Sequence, residues 1–544
     1  MSETTPDLVP RPGALRRRPG HAQFSDGMVI AADAGSTGVA DLLACELGAA
    51  TGWHVEKAGL DAGSTHGVVR LQVAGRSSGA AGGSAPFPDP AGENYRLVAD
   101  ENGVKITAPT AAGVFYGTRT LRQLMPADLL RRAPSSSRSS VEVEAVEIED
   151  GPRFGWRGMG LDVARHFFPK EFILKLIDLA SFHKLNVLHL HLTDDQGWRV
   201  QVDRYPLLTE VGAWRRESPA GHYSEHRKDA TPHGGFYSKA DLAEICAYAA
   251  RHFVNILPEI DMPGHMQAAI ASYPELGNTG EKLEVFTDWG ISDHVLNLEP
   301  ATVKFCGDVL DEVTDIFPGR LVHVGGDECP TTEWEASPRA RELMGRLGLS
   351  EARQLQGWFT AQVSEVLSSR GRQLVGWNEV LEAGAPAGAV VMAWQEHEAW
   401  DAAKQAAQLG HDVVMAPEAW CYFDWSYSDD PREPLAIRPA ISVEKAYSLE
   451  PMPADLGDGL ARHVTGAQCQ LWTEYVTTTT HAEYMYFPRA CALAEVGWSS
   501  KERDWPDFER RLASHMARLA ALGVAYRPLS GPLPGQSRIW SQKC

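Results

Sequence analysis

Leu321 to Glu328 reads LVHVGGDE: a β-rich run, two glycines, then two acids. Glycines at such a point let the backbone bend or a ligand approach closely. On extended backbone, neighbouring side chains project to opposite sides, so Asp327 and Glu328 are poorly placed to face each other across a bond as acid and nucleophile. Different jobs are implied. Hydrolysis of a glycosidic bond offers such a division: one carboxyl protonates the leaving oxygen, while in the substrate-assisted variant the nucleophile comes from the sugar itself. A second polar run, VLHLHLTDD at Val187 to Asp195, sets His189 and His191 on one face of a strand. His-x-His with nearby carboxylates can ligate zinc or a related ion. Barrel interiors also hold hydrogen-bonded histidines, and Asp194 can join His265 in a network that tunes the acid's pKa.

These residues need a scaffold that gathers distant segments. From Pro152 onward, short apolar strands alternate with amphipathic helical stretches, the pattern of repeated βα units and a parallel sheet. Eight strands are expected, at Gly158–Val163, Val187–Leu192, Asn255–Ile260, Leu321–Val324, Leu374–Trp377, Val390–Ala393, Val413–Ala416 and Ala467–Leu471. Eight closes a TIM barrel, whose active sites lie at the C-terminal strand ends. There the sequence sets Arg165 and His166, Asp194 and Asp195, Asp261 and His265, then Asp327 and Glu328. Trp377 and Glu379, Trp394, Tyr422 and Asp424, and Trp472 and Glu474 complete the circuit. The three tryptophans make an apolar pocket suited to a methyl group or a sugar face. Arg165, Asp424 and Glu474 could hold sugar hydroxyls through charge-assisted hydrogen bonds.

Ahead of the barrel, the strand-like runs Gly67 to Val73 and Tyr95 to Ala99, a hairpin turn at Asp100 to Gly103, and helical spacing over Ala111 to Leu124 predict a small α+β unit. Arg76 to Gly92 reads as a loop and Pro134 to Ser140 as a domain linker. The expected order is a disordered tail over 1–22, the α+β domain with its linker over 23–150, the barrel over 151–530 and a C-terminal tail over 531–544.

With 44% hydrophobic and 22% charged residues, the 544-residue chain has the mix of a globular enzyme with a large core. A formal net charge of -20 argues against nucleic acid, which draws its affinity from clustered Lys and Arg. The one basic cluster, Arg16 to Arg18, reads as part of a solvated tail. No signal-peptide pattern and no membrane span is evident, so a cytoplasmic location is expected. The cysteines lack CxxC pairing and are expected as reduced, mostly buried thiols.

In this order, the segments RGMGLDVARHFF (Arg157 to Phe168), LHLHLTDDQGW (Leu188 to Trp198), PEIDMPGH (Pro258 to His265), HVGGDE (His323 to Glu328), GWNE (Gly376 to Glu379) and LWTE (Leu471 to Glu474) resemble glycoside hydrolase family 20, the β-N-acetylhexosaminidases. The resemblance covers residues from about 150 to 500, and the N-terminal unit is similar to the small domain that precedes the barrel in that family. It implies that Glu328 acts as acid then base, and that Asp327 binds the acetamido N–H and stabilises an oxazolinium charge. Tyr422 would contact the acetamido carbonyl. Arg165, Asp424 and Glu474 would hold sugar hydroxyls, with Trp377, Trp394 and Trp472 enclosing the N-acetyl group and the ring. Asp194 and His265 would form the supporting network, with Asp261 beside it. The implied reaction is hydrolysis of terminal non-reducing β-linked N-acetylglucosamine or N-acetylgalactosamine with net retention, on a small oligosaccharide or glycoside, without metal or other cofactor. Ala220 to His233 departs from the pattern as a polar, irregular insertion. Two rivals stay open at this point: a metal-dependent barrel hydrolase built on His189 and His191, and a non-catalytic carbohydrate-binding protein.

Overall fold

The computed structural model describes residues 6–61, 67–74, 89–134, 138–396, 398–437 and 439–532. Most of the Arg76 to Gly92 loop, the centre of the Pro134 to Ser140 stretch and most of the C-terminal tail lie outside them. Among the described residues no helix is long and apolar enough to cross a membrane. Among the described residues five cysteines are buried, Cys329 is half-buried and Cys45 is exposed, all as free thiols.

The N-terminal domain is a mixed sheet of β1 (Ala14–Ser25), β2 (Val29–Ala32), β3 (Glu56–Gly59), β4 (Val68–Val73), β5 (Tyr95–Asp100), β6 (Gly103–Ala108) and β7 (Ser140–Asp150), in the order β1-β7-β5-β6-β4-β2-β3. Helices α1 (Thr37–Thr51) and α2 (Ala111–Leu124) bury their apolar residues in its core. The expected hairpin forms, with Asp100 opposite Gly103. Gly103 has φ +119, and a Cβ there would lie 2.1 Å from the Val68 carbonyl oxygen, so no larger residue fits.

Two expectations are corrected here. Residues 14–22 are no tail: β1 pairs antiparallel with β7, Arg16 directly opposite Glu147, and Arg16, Arg18 and Arg96 all contact Glu147. The basic cluster is part of an edge strand, with Arg16 and Arg18 on one face and Arg17 paired to Glu144, and its Ala22 and Phe24 point inward. Leu8 and Val9, further upstream, are buried as well. Nor does Pro134 to Ser140 join two domains. β7 follows it and returns to the same sheet, so the crossing into the barrel falls after Asp150.

The barrel closes from eight parallel strands, β8 (Trp156–Asp162), β9 (Val187–His191), β10 (Asn255–Glu259), β11 (Leu321–His323), β12 (Gln373–Trp377), β13 (Val390–Ala393), β14 (Asp412–Met415) and β15 (Val464–Leu471), the last pairing back with β8. Nearly every strand residue is buried, as expected of strands covered on both faces. Each strand overlaps one expected from sequence.

A buried polar seam joins the domains at the N-terminal end of the barrel. Lys184 meets Asp150 at 2.8 Å, with both side chains almost fully buried; Asp150 also accepts hydrogen bonds from Tyr95 Oη at 2.6 Å and Trp498 Nε1 at 2.9 Å. Arg157 of β8 pairs with Glu93 at 2.8 Å and donates to Lys184 O at 2.7 Å. Breaking a buried pair from one side leaves an uncompensated charge. Lys184→Met is therefore expected to destabilise the protein by about 3 kcal/mol, read as a lower midpoint in urea unfolding; a midpoint within error of the wild type would show that the seam carries no net energy.

Candidate active site

The chemistry gathers at the C-terminal ends of the barrel strands. Asp162, at the end of β8, accepts from the backbone N–H groups of Ala164 and Arg165 at 2.8 and 3.0 Å, and from Thr473 N and Oγ1, both at 3.0 Å. It thereby ties the ends of the first and last strands together and aims Arg165. The Arg165 guanidinium meets Asp194 at 2.8 Å, donates from Nε to Gln196 Oε1 at 3.1 Å and lies over the Trp472 ring at 5.3 Å.

Asp194 is fully buried, and its two oxygens serve three partners besides its own loop: Arg165, His191 Nε2 at 2.8 Å and His265 Nδ1 at 3.2 Å. Burial works against its charge, yet Arg165, His265 and His191 hold it well below the usual carboxylate range. The effect is mutual. Burial alone would lower the His265 pKa, but Asp194, with Asp195 and Asp261 behind it, holds it well above the ordinary histidine value. His265 thus favours its imidazolium form, with Nε2 3.7 Å from both Asp327 Oδ2 and Glu328 Oε2. Asp195 organises the surrounding loops, accepting from the backbone N–H groups of Gln267 and Ser292, each at 2.9 Å.

This convergence departs from the extended-backbone expectation for the acid pair. Gly325 (φ 64), Gly326 (φ 92) and Glu328 (φ 47) all sit in the left-handed region, so the chain turns and both carboxyl groups reach one imidazole. A Cβ on Gly325 would lie 1.7 Å from Asp261 Oδ1, the same oxygen that accepts from Gly326 N at 3.1 Å. Asp261 is fully buried, and burial together with the neighbouring Asp327 pushes its pKa well above the carboxylate range. Glu328 is the exposed member of the pair. Burial and then the Asp327 charge push it up to about 7, against the pull of His265 and Arg165.

Four aromatic rings line the well beside the acids. Trp394 and Tyr422 stack with centroids 5.9 Å apart and planes 9° from parallel. Trp472 lies 5.9 Å from both Tyr422 and Trp377. Trp377 is buried and donates Nε1 to Glu259 at 2.9 Å. On the far side, Asp424 is buried with neither carboxyl oxygen hydrogen-bonded among the described residues. Burial and neighbouring Glu474 hold its pKa well up, and burial raises Glu474 too despite Arg165. Asp261 Oδ2, Asp327 Oδ1 and His265 Nε2 likewise lack a full hydrogen bond. Buried polar atoms without partners are uncommon in folded proteins, and several of those found here share one mouth.

His189 and His191 do face one side of β9, both toward Glu259, and His191 also reaches Asp194 at the mouth. His189 Nε2 lies 3.0 Å and His323 Nδ1 2.9 Å from the Glu259 carboxylate, and His191 Nδ1 2.5 Å. The other nitrogen of His189 accepts from Gln468 Nε2 at 2.9 Å, and that of His191 meets Asp194. Glu259, His189 and His323 are close enough together to hold an ion; both His191 nitrogens face carboxylates and His189 Nδ1 is taken by Gln468, while His189 Nε2 has only the Glu259 carboxylate beside it.

Sequence reasoning placed Glu379 at a strand end without a role. In the structure it accepts from Trp394 Nε1 at 3.0 Å and Gln395 Nε2 at 3.2 Å, and burial together with Asp327 pushes it up to about 8. Its position two residues beyond Trp377 was the available signal. The Ala220 to His233 stretch is tied to the rim: Tyr223–Glu225 forms a helical turn, and Tyr223 stacks on Trp289 at 4.7 Å.

A TIM barrel that pairs a proton-holding glutamic acid with a second carboxyl group, beside an aromatic well faced by unpaired carboxyls, has the site of a glycoside hydrolase. Residues 154–501 match the model of the glycosyl hydrolase family 20 catalytic domain, and residues 5–151 that family's domain 2; the chain belongs to glycosyl hydrolase family 20. A β-hexosaminidase of Porphyromonas gingivalis is 39% identical over 82% of this chain, which spans only 55% of that protein. A β-N-acetylhexosaminidase of Cellulomonas fimi is 35% identical, with 82% of this chain and 84% of the relative covered. Among solved structures, the family 20 β-N-acetylhexosaminidase of Streptomyces coelicolor superposes with a TM-score of 0.80 at 31% identity, covering 97% of this chain and 99% of the other. A Vibrio harveyi exo-β-N-acetylglucosaminidase in complex with N-acetylglucosamine superposes at 0.83, with 32% identity, 96% of this chain and 78% of the other covered.

The electrostatics make a direct prediction. In a carbon-13 NMR titration, the Glu328 carboxyl should titrate near pH 7. Asp327→Asn removes a negative neighbour and should lower that midpoint by about one unit, whereas His265→Gln removes a positive one and should raise it. A midpoint indifferent to both changes would show that burial alone sets it.

Proposed function

We propose that the barrel mouth hydrolyses terminal, non-reducing β-linked N-acetylglucosamine or N-acetylgalactosamine by substrate-assisted catalysis. The observation that carries this reading is the pair at Asp327 and Glu328: one carboxyl set near neutral pH at the exposed edge, the other turned inward beside the aromatic well. Glu328, protonated, gives its proton to the glycosidic oxygen as the bond to C1 breaks. The carbonyl oxygen of the sugar's own acetamido group attacks C1 and closes an oxazolinium ring. Asp327 accepts the acetamido N–H and balances the positive charge that develops, and Tyr422 contacts the carbonyl from the opposite wall. Glu328, now a carboxylate, takes a proton from water; the water oxygen attacks C1, the ring opens and the anomeric configuration is retained.

Binding follows from the remaining groups. Trp377, Trp394 and Trp472 enclose the acetamido methyl and the sugar face, while Asp424, Glu474 and Arg165 take hydroxyl groups. The unpaired oxygens of Asp424 support that assignment, since a sugar hydroxyl can satisfy a buried acceptor that no protein group reaches. Asp194 and His265 act through Asp327 and Glu328 as positioning residues, with Asp261 holding the glycine turn. The family and the sugar-bound relatives support a small oligosaccharide or glycoside as substrate.

The deciding experiment compares initial rates on an aryl β-N-acetylglucosaminide and the matching aryl β-glucoside, each with and without EDTA. Activity confined to the acetamido substrate and indifferent to chelator is expected. Equal rates on both would point to an enzymic nucleophile, and loss with EDTA to metal chemistry. Asp327→Asn should lower kcat by about 10²- to 10³-fold; unchanged kinetics would remove Asp327 from the mechanism. Because the acid form of Glu328 donates the proton, kcat/KM should fall as pH rises through about 7.

A further inference from the structure

Away from the barrel mouth, and sharing no residue with it, a cavity of about 720 Å³ opens between the two domains. Its walls come from α1 and α2 on one side and from the barrel helices Lys170–Phe182 and Lys239–Arg251 on the other. Most of the wall is apolar, with Val39, Leu42, Leu130, Leu179, Phe182 and Phe253 among the lining residues. The volume suits a single small organic molecule.

The charged groups in the lining are unevenly matched. Each carboxylate has a cation: Glu46 is held by Arg119 at 2.6 Å and Arg122 at 2.9 Å, Asp178 by Arg132, and Asp41 by Lys57 at 2.5 Å. Those partners keep Glu46 down at about 2 despite its burial. Lys175 is engaged by Glu483. Arg131 and Arg251, exposed and lining the same cavity, make no ion pair among the described residues. Deeper in, Arg122 is only 7% exposed, and its Nε lacks any hydrogen-bond partner. A chain with a net charge of -20 thus keeps unmatched positive charge in one apolar chamber. Burying a guanidinium N–H without a partner is costly, which a bound anion would relieve.

We propose that this cavity is a binding site for a small amphipathic anion, an acidic head group carried on an apolar body. Arg131 and Arg251 draw the head group in, Arg122 Nε–H is available to it, and the aliphatic and phenylalanine walls take the body.

The test uses the full-length protein and the fluorescent carboxylate dansylundecanoate. Saturable single-site binding with blue-shifted emission is expected, displaced by decanoate and not by decyltrimethylammonium. Arg131→Glu and Arg251→Glu should each weaken it about tenfold, and Leu42→Trp, which fills the chamber, should abolish it while leaving glycosidase rates unchanged. Should Leu42→Trp fail to fold, the Arg131→Glu/Arg251→Glu double variant, altered only at exposed side chains, decides the matter. Non-saturable binding, equal displacement by the cation, or binding undiminished in these variants would overturn the proposal.

Discussion

The mouth of this barrel depends on keeping one buried carboxylate charged. A lone carboxylate taken out of water would neutralise itself or cost several kcal/mol. Asp194 escapes both fates because Arg165, His191 and His265 close on it from three different strand ends. The same contacts favour the protonated forms of the two histidines, so that His265 turns positive charge toward Asp327 and Glu328. Remove Asp194, and a buried imidazolium loses the reason for its proton.

From that centre the acids of the site divide into two groups. Asp194 and Glu259, each ringed by cations or histidines, are pulled down; Asp261, Glu328, Glu379 and Asp424, each buried or beside another acid, are pushed up. Identical side-chain chemistry acquires opposite protonation through environment alone, the condition under which a single mouth can hold both a proton donor and charged acceptors at neutral pH. The aromatic well contributes by excluding water, which strengthens these interactions.

The same logic recurs at the opposite end of the barrel. Lys184 with Asp150 and Arg157 with Glu93 form a buried ionic seam through which the N-terminal sheet caps the barrel floor. Such pairs add little net stability but are intolerant of wrong partners, and they set how the two domains meet. β1 lengthens that sheet through its backbone ladder to β7 and the burial of Ala22 and Phe24, and the glutamates of β7 face its arginines.

Much of this was legible in the chain because it is local. Strand-length apolar runs gave the barrel, the acids following those runs marked its mouth, and the order of the HVGGDE, PEIDMPGH and LWTE segments pointed to the family. Other features were local and still passed over: the alternation VEVEAVEIED marks β7, which is missing from the elements expected of the N-terminal unit. What no local reading could supply were relations between segments far apart. Arg16 to Arg18 look like a solvated tail until β7 lies opposite. The histidines of β9 stand alone as His-x-His in the sequence, and only the fold sets Glu259 from β10 against both of them. Asp327 and Glu328 diverge on extended backbone and meet at His265 only because a turn through Gly325 and Gly326, shaped around the Asp261 carboxyl, reverses them. Sequence by itself determined which groups would crowd the mouth; the folded chain decided which of them hold protons, since charge state is set by neighbours that only the closed barrel brings within reach.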